Sequence, residues 1–313
     1  SGMRTIVRTL AALVLIFLIT GCASIKNGLY DLGISTERSL SGMKEGSVVV
    51  DGQTTAYLER PGKGETIVLL HGFGANKDNW VRFVRYIPAE YRVIALDLPG
   101  HGDSSRLNDR TYTISFITDG FAQGVDALGL TRFHLAGNSM GGYVSMLYTL
   151  RNPQRVATLC LVDTAGIVSP QPSDLQRSLE QGQNPLIPST EKEFYALMDY
   201  AFYQKPFLPW PVPSVLARMA VESSAFNKKM WTDINFQRSD MAPLLPDLHQ
   251  PVLVIWGDRD RITNVSATEV LKKSLSSQDT VIMKDCGHLP MVERPKEAAG
   301  HYVSFLRKHG RSG

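Results

Sequence analysis

Ser139 is the residue on which covalent chemistry would centre. It lies in Phe133-His134-Leu135-Ala136-Gly137-Asn138-Ser139-Met140-Gly141-Gly142. An apolar run of strand type there meets Gly-x-Ser-x-Gly and passes directly into Tyr143–Tyr148, which reads as a helix. A strand that turns sharply into a helix through small residues holds the central serine at a strained, exposed point, the geometry of a nucleophile elbow. The glycines at 137 and 141 fit, because a Cβ would collide across so tight a turn. The five-residue pattern alone is weakly specific, since a small-residue turn before a helix reads the same way.

A serine nucleophile needs a base to take its proton, and the base needs an acid to fix its tautomer. Of the seven histidines, His288 stands out. It follows the last predicted strand, in Asp285-Cys286-Gly287-His288-Leu289-Pro290. The acid is sought at the end of the preceding strand, where Trp256-Gly257-Asp258-Arg259-Asp260 sets Asp260 two residues clear of the turn. Asp258 and Asp163 are the alternatives. The order Ser139, Asp260, His288 is the Ser…Asp…His order of one fold. A further loop, His71-Gly72-Phe73-Gly74, follows the strand Thr66–Leu70. Its glycines let the backbone approach a substrate, so the N–H groups of Phe73 and Met140 are the expected oxyanion-hole donors. His71 itself reads as a brace, and Asp97-Leu98-Pro99-Gly100-His101-Gly102 as scaffold. This chemistry calls for no cofactor and no metal. Three cysteines, Cys22, Cys160 and Cys286, are too scattered for a disulfide framework or a zinc site.

The elements that must position these residues can be read from the pattern. Val48–Leu58 is a hairpin with an Asp51-Gly52 turn. Strands at Thr66–Leu70, Arg92–Leu96, the elbow strand that starts at Phe133, and Val156–Val162 alternate with helices at Asn79–Ile87, Ile114–Leu128 and after Ser139. Such alternation predicts an α/β fold, a mostly parallel sheet covered by helices on both faces. It stops after Asp163-Thr164-Ala165-Gly166. Residues 167–249 are dense in proline and apolar bulk, with helices expected at Glu191–Phe202 and Val215–Ser224. They read as an inserted helical cap, or lid, because a loose loop this long and this apolar is improbable. The core resumes with the strand Pro251–Trp256, a helix near Thr268–Leu275, the strand Thr280–Met283 and a last helix from Pro295 to Lys308. The predicted organisation is therefore 3–46, a transmembrane and juxtamembrane helix; 47–166 with 250–313, the core; and 167–249, the cap.

The 313 residues are 43% hydrophobic and 20% charged, which suits a globular protein with a large core. A net charge of +3 without a long basic run argues against a nucleic-acid partner. Ser1-Gly2, ahead of Met3, is set aside as an added leader. Arg4 and Arg8 precede an uncharged stretch, Thr9–Ile25. As a helix its roughly 17 residues before Lys26 would reach about 25 Å, a little short of a hydrocarbon core. The preferred reading is an uncleaved single-pass anchor with its N-terminus in the cytoplasm under the positive-inside rule. The alternative is a bacterial lipobox, Ile19-Thr20-Gly21-Cys22, with Cys22 lipidated. Either way the body is tied to a membrane outside the cytoplasm. Beyond it Ile25, Leu29, Leu32, Thr36, Leu40 and Met43 recur at helical spacing. That stripe either packs on the protein's own body or serves a homodimer.

Taken in order, His-Gly-Phe-Gly, Asp-Leu-Pro-Gly-His-Gly, Gly-Asn-Ser-Met-Gly-Gly, Trp-Gly-Asp-Arg-Asp and Cys-Gly-His cover about residues 47–308. Together they resemble the α/β-hydrolase superfamily. With the N-terminal anchor the chain is similar to bacterial membrane-anchored lipases and esterases, most closely the phospholipases A of the PlaF type. That resemblance implies hydrolysis of acyl esters, glycerophospholipids among them, through an acyl-enzyme on Ser139, at the bacterial inner membrane with the catalytic domain on the periplasmic side. Small-ester carboxylesterases share the fold. Carbon–carbon bond hydrolases of ring degradation do too, but usually carry Trp after the catalytic His, where this chain has Leu289. A reading of another class is a hydrolase-like binding protein without turnover, against which an intact triad argues.

Overall fold

The computed structural model describes residues 22–238 and 240–310. Its centre is an eight-stranded sheet. β1 (Lys44–Val50) and β2 (Gln53–Arg60) form the hairpin expected around Asp51-Gly52. Both turn residues take positive φ, 49° and 75°, which matches the turn's twist to that of the strands. β3 (Thr66–Leu70), β4 (Arg92–Leu96), β5 (Phe133–Asn138), β6 (Val156–Val162), β7 (Val252–Gly257) and β8 (Gln278–Met283) follow. Across the sheet the order is β1-β2-β4-β3-β5-β6-β7-β8. The β1–β2 and β2–β4 pairs are antiparallel; all later neighbours are parallel. Parallel strands need crossover helices, and those helices bury both faces of the sheet. Every residue of β5 and of β7 is accordingly buried.

The two faces carry separate cores, assigned by the period-2 alternation of each strand. Along β3, Val68 and Leu70 face Phe121, Leu135 and Val144. Ile67 and Leu69 face the other way, towards Trp80, Phe83, Tyr302 and Leu306. The first face is covered by α3 (Ile114–Ala127) and α4 (Met140–Arg151), the second by α2 (Val81–Val84) and α11 (Pro295–His309). Between β6 and β7 lie α5 (Asp174–Glu180), α6 (Glu191–Ala201), α7 (Val212–Glu222) and α8 (Ser224–Ile234). Between β7 and the end of the chain come also α9 (Ala267–Ser274) and α10 (Pro290–Glu293).

Some boundaries differ from those expected. Instead of one helix over Asn79–Ile87, a 3-10 turn at Lys77–Trp80 leads into the short α2. The Asn76 side chain accepts the Asp78 N–H and starts the turn early, and Pro88 disfavours helix at the residue before it. The helix α8 was not expected. Its inner positions include the polar Asn227 beside Met230 and Ile234, so the apolar stripe is interrupted.

At the N-terminus a helix covers residues 22–40, here α1. Of the two readings of the stripe, packing on the protein's own body is not met: Ile25, Leu29, Leu32 and Leu40 are all exposed. Only Met43, past the helix, is buried. The helix docks through another face and through polar groups. Arg38 donates twice to the Asp78 carboxylate, at 2.6 and 2.8 Å. Glu37 pairs with Arg82 and Arg85, and the Ser41 hydroxyl donates to the Val81 carbonyl at 2.6 Å. Against the inserted helices, Arg218 of α7 donates to Asn27 at 2.8 Å. Among the described residues no helix is long and apolar enough to cross a membrane. Arg4, Arg8 and the expected anchor as far as Gly21, most of the lipobox included, lie outside the described residues.

Candidate active site

The six parallel strands, β3 to β8, end at one edge of the sheet, and the loops that leave this edge carry the candidate triad, its alternative acids and the two Gly-rich loops. Ser139 sits between β5 and α4 with φ 53° and ψ −118°. That is strained backbone for a residue with a side chain. The strain is held in place by hydrogen bonds. The Ser139 N–H donates to Val162 O at 3.0 Å, and its carbonyl accepts from Gly142, Tyr143 and Ala165. A Cβ at position 141 would lie 2.4 Å from the Leu70 carbonyl oxygen, and one at 137 would lie 2.2 Å from that of Gly141. Only glycine lets strand and helix approach so closely.

His288 follows β8. Its Nδ1 lies 2.7 Å from Asp260 Oδ2. A carboxylate only accepts, so Nδ1 carries the proton and Nε2 keeps a lone pair, the tautomer a base requires. Asp260 is buried and held by its own loop. Its Oδ1 accepts the N–H groups of Ile262 (2.7 Å) and Thr263 (3.0 Å), and its Oδ2 accepts the Thr263 hydroxyl at 2.7 Å. Burial by itself would raise the pKa of this carboxyl. The charge and hydrogen bond of His288, with the hydrogen bond of Thr263, outweigh it and hold the group below the ordinary range.

The other two aspartates are placed differently. Asp258 accepts the Asp285 N–H at 2.7 Å and so clamps the start of the histidine loop. Asp163 is fully buried and accepts the Gly257 N–H at 3.0 Å. Burial first, then the charge of Asp260, push it well above the carboxylate range. One oxygen from each of Asp163 and Asp260 and one His288 nitrogen lie within 4.8 Å of one another. The 2.7 Å contact between His288 and Asp260 is a hydrogen bond, and it occupies two of the atoms that a cation would need.

The expected oxyanion loop lies over the serine. A Cβ on Gly72 would come 3.1 Å from Ser139 Cβ. Met140 is the first residue of α4, so its N–H belongs to the turn that has no partner within the helix. His71 is fully buried. Its Nε2 accepts the Leu98 N–H at 3.0 Å, so Nδ1 donates to Gly72 O at 2.7 Å. It therefore ties this loop to the one after β4. The second loop is itself fixed by Asp97, which binds Lys77 Nζ at 2.7 Å and accepts the Asp103 N–H.

Two positioning residues were not singled out in the sequence. Asn138 Nδ2 donates to the carbonyls of Val162 and His288, each at 3.1 Å, and so joins the elbow to the histidine loop across 150 residues of chain. Thr263 holds both oxygens of Asp260; the Asp-x-x-Thr spacing is a turn signature that points to it.

Ser139 and His288 open on a cavity of ≈ 1210 Å³, larger than the roughly 300–1,000 Å³ of ordinary small-molecule sites. The inserted segment supplies an apolar wall, with Leu186, Phe194, Leu197, Met198 and Val215. The helix α1 supplies a polar one, with Tyr30, Asp31 and Arg38.

The sequence profile of the α/β hydrolase fold family matches residues 65–295. Lipase 3 of Moraxella sp. (strain TA144) is 33% identical over 279 residues, 87% of this chain and 87% of its own. The monoacylglycerol lipase ABHD6 of Homo sapiens is 30% identical over 262 residues, 80% of this chain and 78% of its own. The crystal structure of a membrane phospholipase A, a bacterial virulence factor, superposes with a TM-score of 0.90 at 42% identity, covering 97% of this chain and 99% of that one. The chain belongs to the α/β-hydrolase fold family. Within it, the protein is a serine hydrolase of the lipase and esterase type.

Proposed function

We propose that Ser139, His288 and Asp260 form a catalytic triad that cleaves acyl esters of membrane lipids, phospholipids among them, by a phospholipase A or lysophospholipase reaction. The observation that carries this reading is the buried Asp260–His288 hydrogen bond of 2.7 Å beside a serine in elbow conformation at the same cavity. His288 Nε2 takes the Ser139 proton as Oγ attacks the ester carbonyl. The N–H groups of Phe73 and Met140 receive the oxyanion. His288 then protonates the leaving alcohol, and water attacks the acyl-enzyme through the same histidine.

The lipid part of the reading is supported by the volume of the cavity and the apolar wall of residues 167–249, which we take as a cap over the acyl chain. The phospholipid part is supported by the 42% identity to a membrane phospholipase A. Membrane attachment rests on the apolar run Leu10–Ile19 after Arg4 and Arg8, with the body on the periplasmic side. The exposed stripe Ile25, Leu29, Leu32 and Leu40 is then available for a homodimer. A solved hydrolase of carbazole degradation, 23% identical at a TM-score of 0.73, shares the fold and lends no support to carbon–carbon cleavage here.

The test is fatty-acid release from detergent-dispersed phospholipids by the wild-type chain beside Ser139→Ala. Release by wild type with a loss of at least about 10⁵-fold in the variant is the expected result. Short-ester hydrolysis without phospholipid cleavage would leave an esterase and overturn the phospholipid reading. Near-normal turnover in Ser139→Ala would overturn the triad.

A further inference from the structure

Asp163 is a buried carboxyl that the proposed triad leaves without a task. It follows β6 with φ 45°, fully buried. Its Oδ1 accepts the Gly257 N–H; its Oδ2 is buried and has no hydrogen-bond partner among the described residues. Its nearest chemistry is the Asp260–His288 pair, within 4.8 Å. Two carboxylates so close in a buried site do not both ionise.

The donors decide which of them is charged, because hydrogen bonds to the ionised form favour it. Asp260 receives the N–H groups of Ile262 and Thr263, the Thr263 hydroxyl and His288 Nδ1. Asp163 receives the Gly257 N–H. The proton therefore stays on Asp163, and its unpartnered oxygen becomes a donor with the Asp260 carboxylate at hand. Of the other titratable groups that act here, Glu293 of α10 is acidic and disfavours a second negative charge. The Cys286 thiol is pushed up by burial and stays neutral. Neither supplies a positive charge that would let Asp163 ionise.

We propose that Asp163 is a neutral carboxylic acid that shares its proton with the Asp260 carboxylate and acts through it as a positioning residue for His288. This rests on the triad reading above. A donor behind Asp260 lowers its basicity. Asp260 then remains an acceptor when His288 takes the Ser139 proton, and the Nδ1 proton stays on the imidazolium. Without that donor Asp260 would hold the imidazolium more tightly, and His288 would stay protonated to higher pH.

Infrared difference spectroscopy on the full chain at neutral pH, wild type against Asp163→Asn, tests this directly. The expected result is the carbonyl stretch of a protonated carboxyl in wild type that is missing from the variant. A wild-type protein without such a band, or a band that survives the substitution, overturns the proposal. The companion measurement is the pH profile of kcat/KM. Asn keeps an acceptor for Gly257 and a donor for Asp260, so Asp163→Asn should stay within about threefold of wild type with its acid limb in place. Asp163→Ala should lose about tenfold, and its acid limb should move up by roughly one pH unit. Equal losses in both variants with an unmoved limb would make Asp163 a packing residue and overturn the proposal. The infrared band needs no turnover, so it stands apart from the ester-hydrolysis reading, which Ser139→Ala tests.

Discussion

On the sheet side of the cavity, backbone meets backbone with no room for a methyl group: a Cβ at Gly141 would lie 2.4 Å from Leu70 O and 2.6 Å from His71 O. On the side of the inserted helices and α1, large apolar groups stand in solvent, Phe207 at 80% exposure and Trp210 at 68%. The first wall is held by buried hydrogen bonds among Asn138, Asp260, Thr263 and His288. The second has a small buried cluster of Leu175, Ala201, Phe202 and Ile262 and is otherwise joined by polar contacts at the surface, of which Arg82 makes three. It pairs with Glu37 of α1, donates to Phe207 O at 3.0 Å and follows directly on the start of α2. Interiors packed to crystal density transmit strain and have few alternative arrangements, whereas partly solvated seams shift cheaply. The proposed triad is on the rigid wall, and the surface that would meet lipid under that reading is on the adaptable one.

Gly141→Ala attacks the rigid wall where it is tightest. The new methyl meets carbonyl oxygens of β3 and the loop after it, which cannot swing aside as a side chain can. The expected cost is about 3 kcal/mol of stability, with loss of activity because the displaced loop carries Gly72 and Phe73. Urea unfolding beside ester turnover checks both; an unchanged midpoint would break the contrast between the walls.

The same wall has a pH signature. Burial holds His71 neutral down to about pH 4 and His101 down to about pH 3, whereas both take up protons near pH 6.5 once unfolded. The folded pKa lies below the unfolded one, so the unfolded state binds more protons between the two values. Stability is therefore complete above pH 6.5 and falls as the pH drops towards 4. From pH 7 to 5.5 the loss should be about 1 kcal/mol for each histidine. Urea melts at the two pH values measure it, and His101→Gln should remove about half of the slope.

What could be read from the sequence follows the same division. β3, β4 and β6 run over the residues expected, because buried parallel strands are unbroken apolar runs between turns. The elbow was legible because its glycines and serine are contiguous. Asp260 was preferred to Asp163 and Asp258 for its place two residues clear of the turn, but all three stand near strand ends at one sheet edge, and only the tertiary contact with His288 separates them. Asn138 carried no signal because its partner is 150 residues away. At α1 the helical period was legible but not the face that docks. The apolar stripe left burial on the body and a homodimer face both open, and the ion pairs of Glu37 and Arg38 dock the helix with the stripe outward.

Ser139→Gly sharpens the comparison from within the rigid wall. At φ 53° and ψ −118° a side chain is strained and glycine is not. Relief of that strain, less the extra chain entropy of glycine, should leave the variant more stable by about 1 kcal/mol while it hydrolyses nothing. A lower melting temperature would mean that Ser139 contributes packing that outweighs its strain.

The smallest effect on stability is expected on the other wall. Phe207→Ser with Trp210→Ser removes two exposed rings that support little of the fold, so the unfolding free energy should change by no more than about 0.5 kcal/mol. If these rings meet the lipid surface, hydrolysis of vesicle-held phospholipid should fall several-fold while hydrolysis of a short soluble ester stays as it was. The ratio of the two rates isolates the interfacial step, because the soluble ester reaches Ser139 without it. Equal losses on both substrates would tie the exposed loop to the reacting groups, most directly through Phe202, which adjoins Ala201, the acceptor of the His288 N–H at 2.9 Å. The two walls would then act as one unit rather than two.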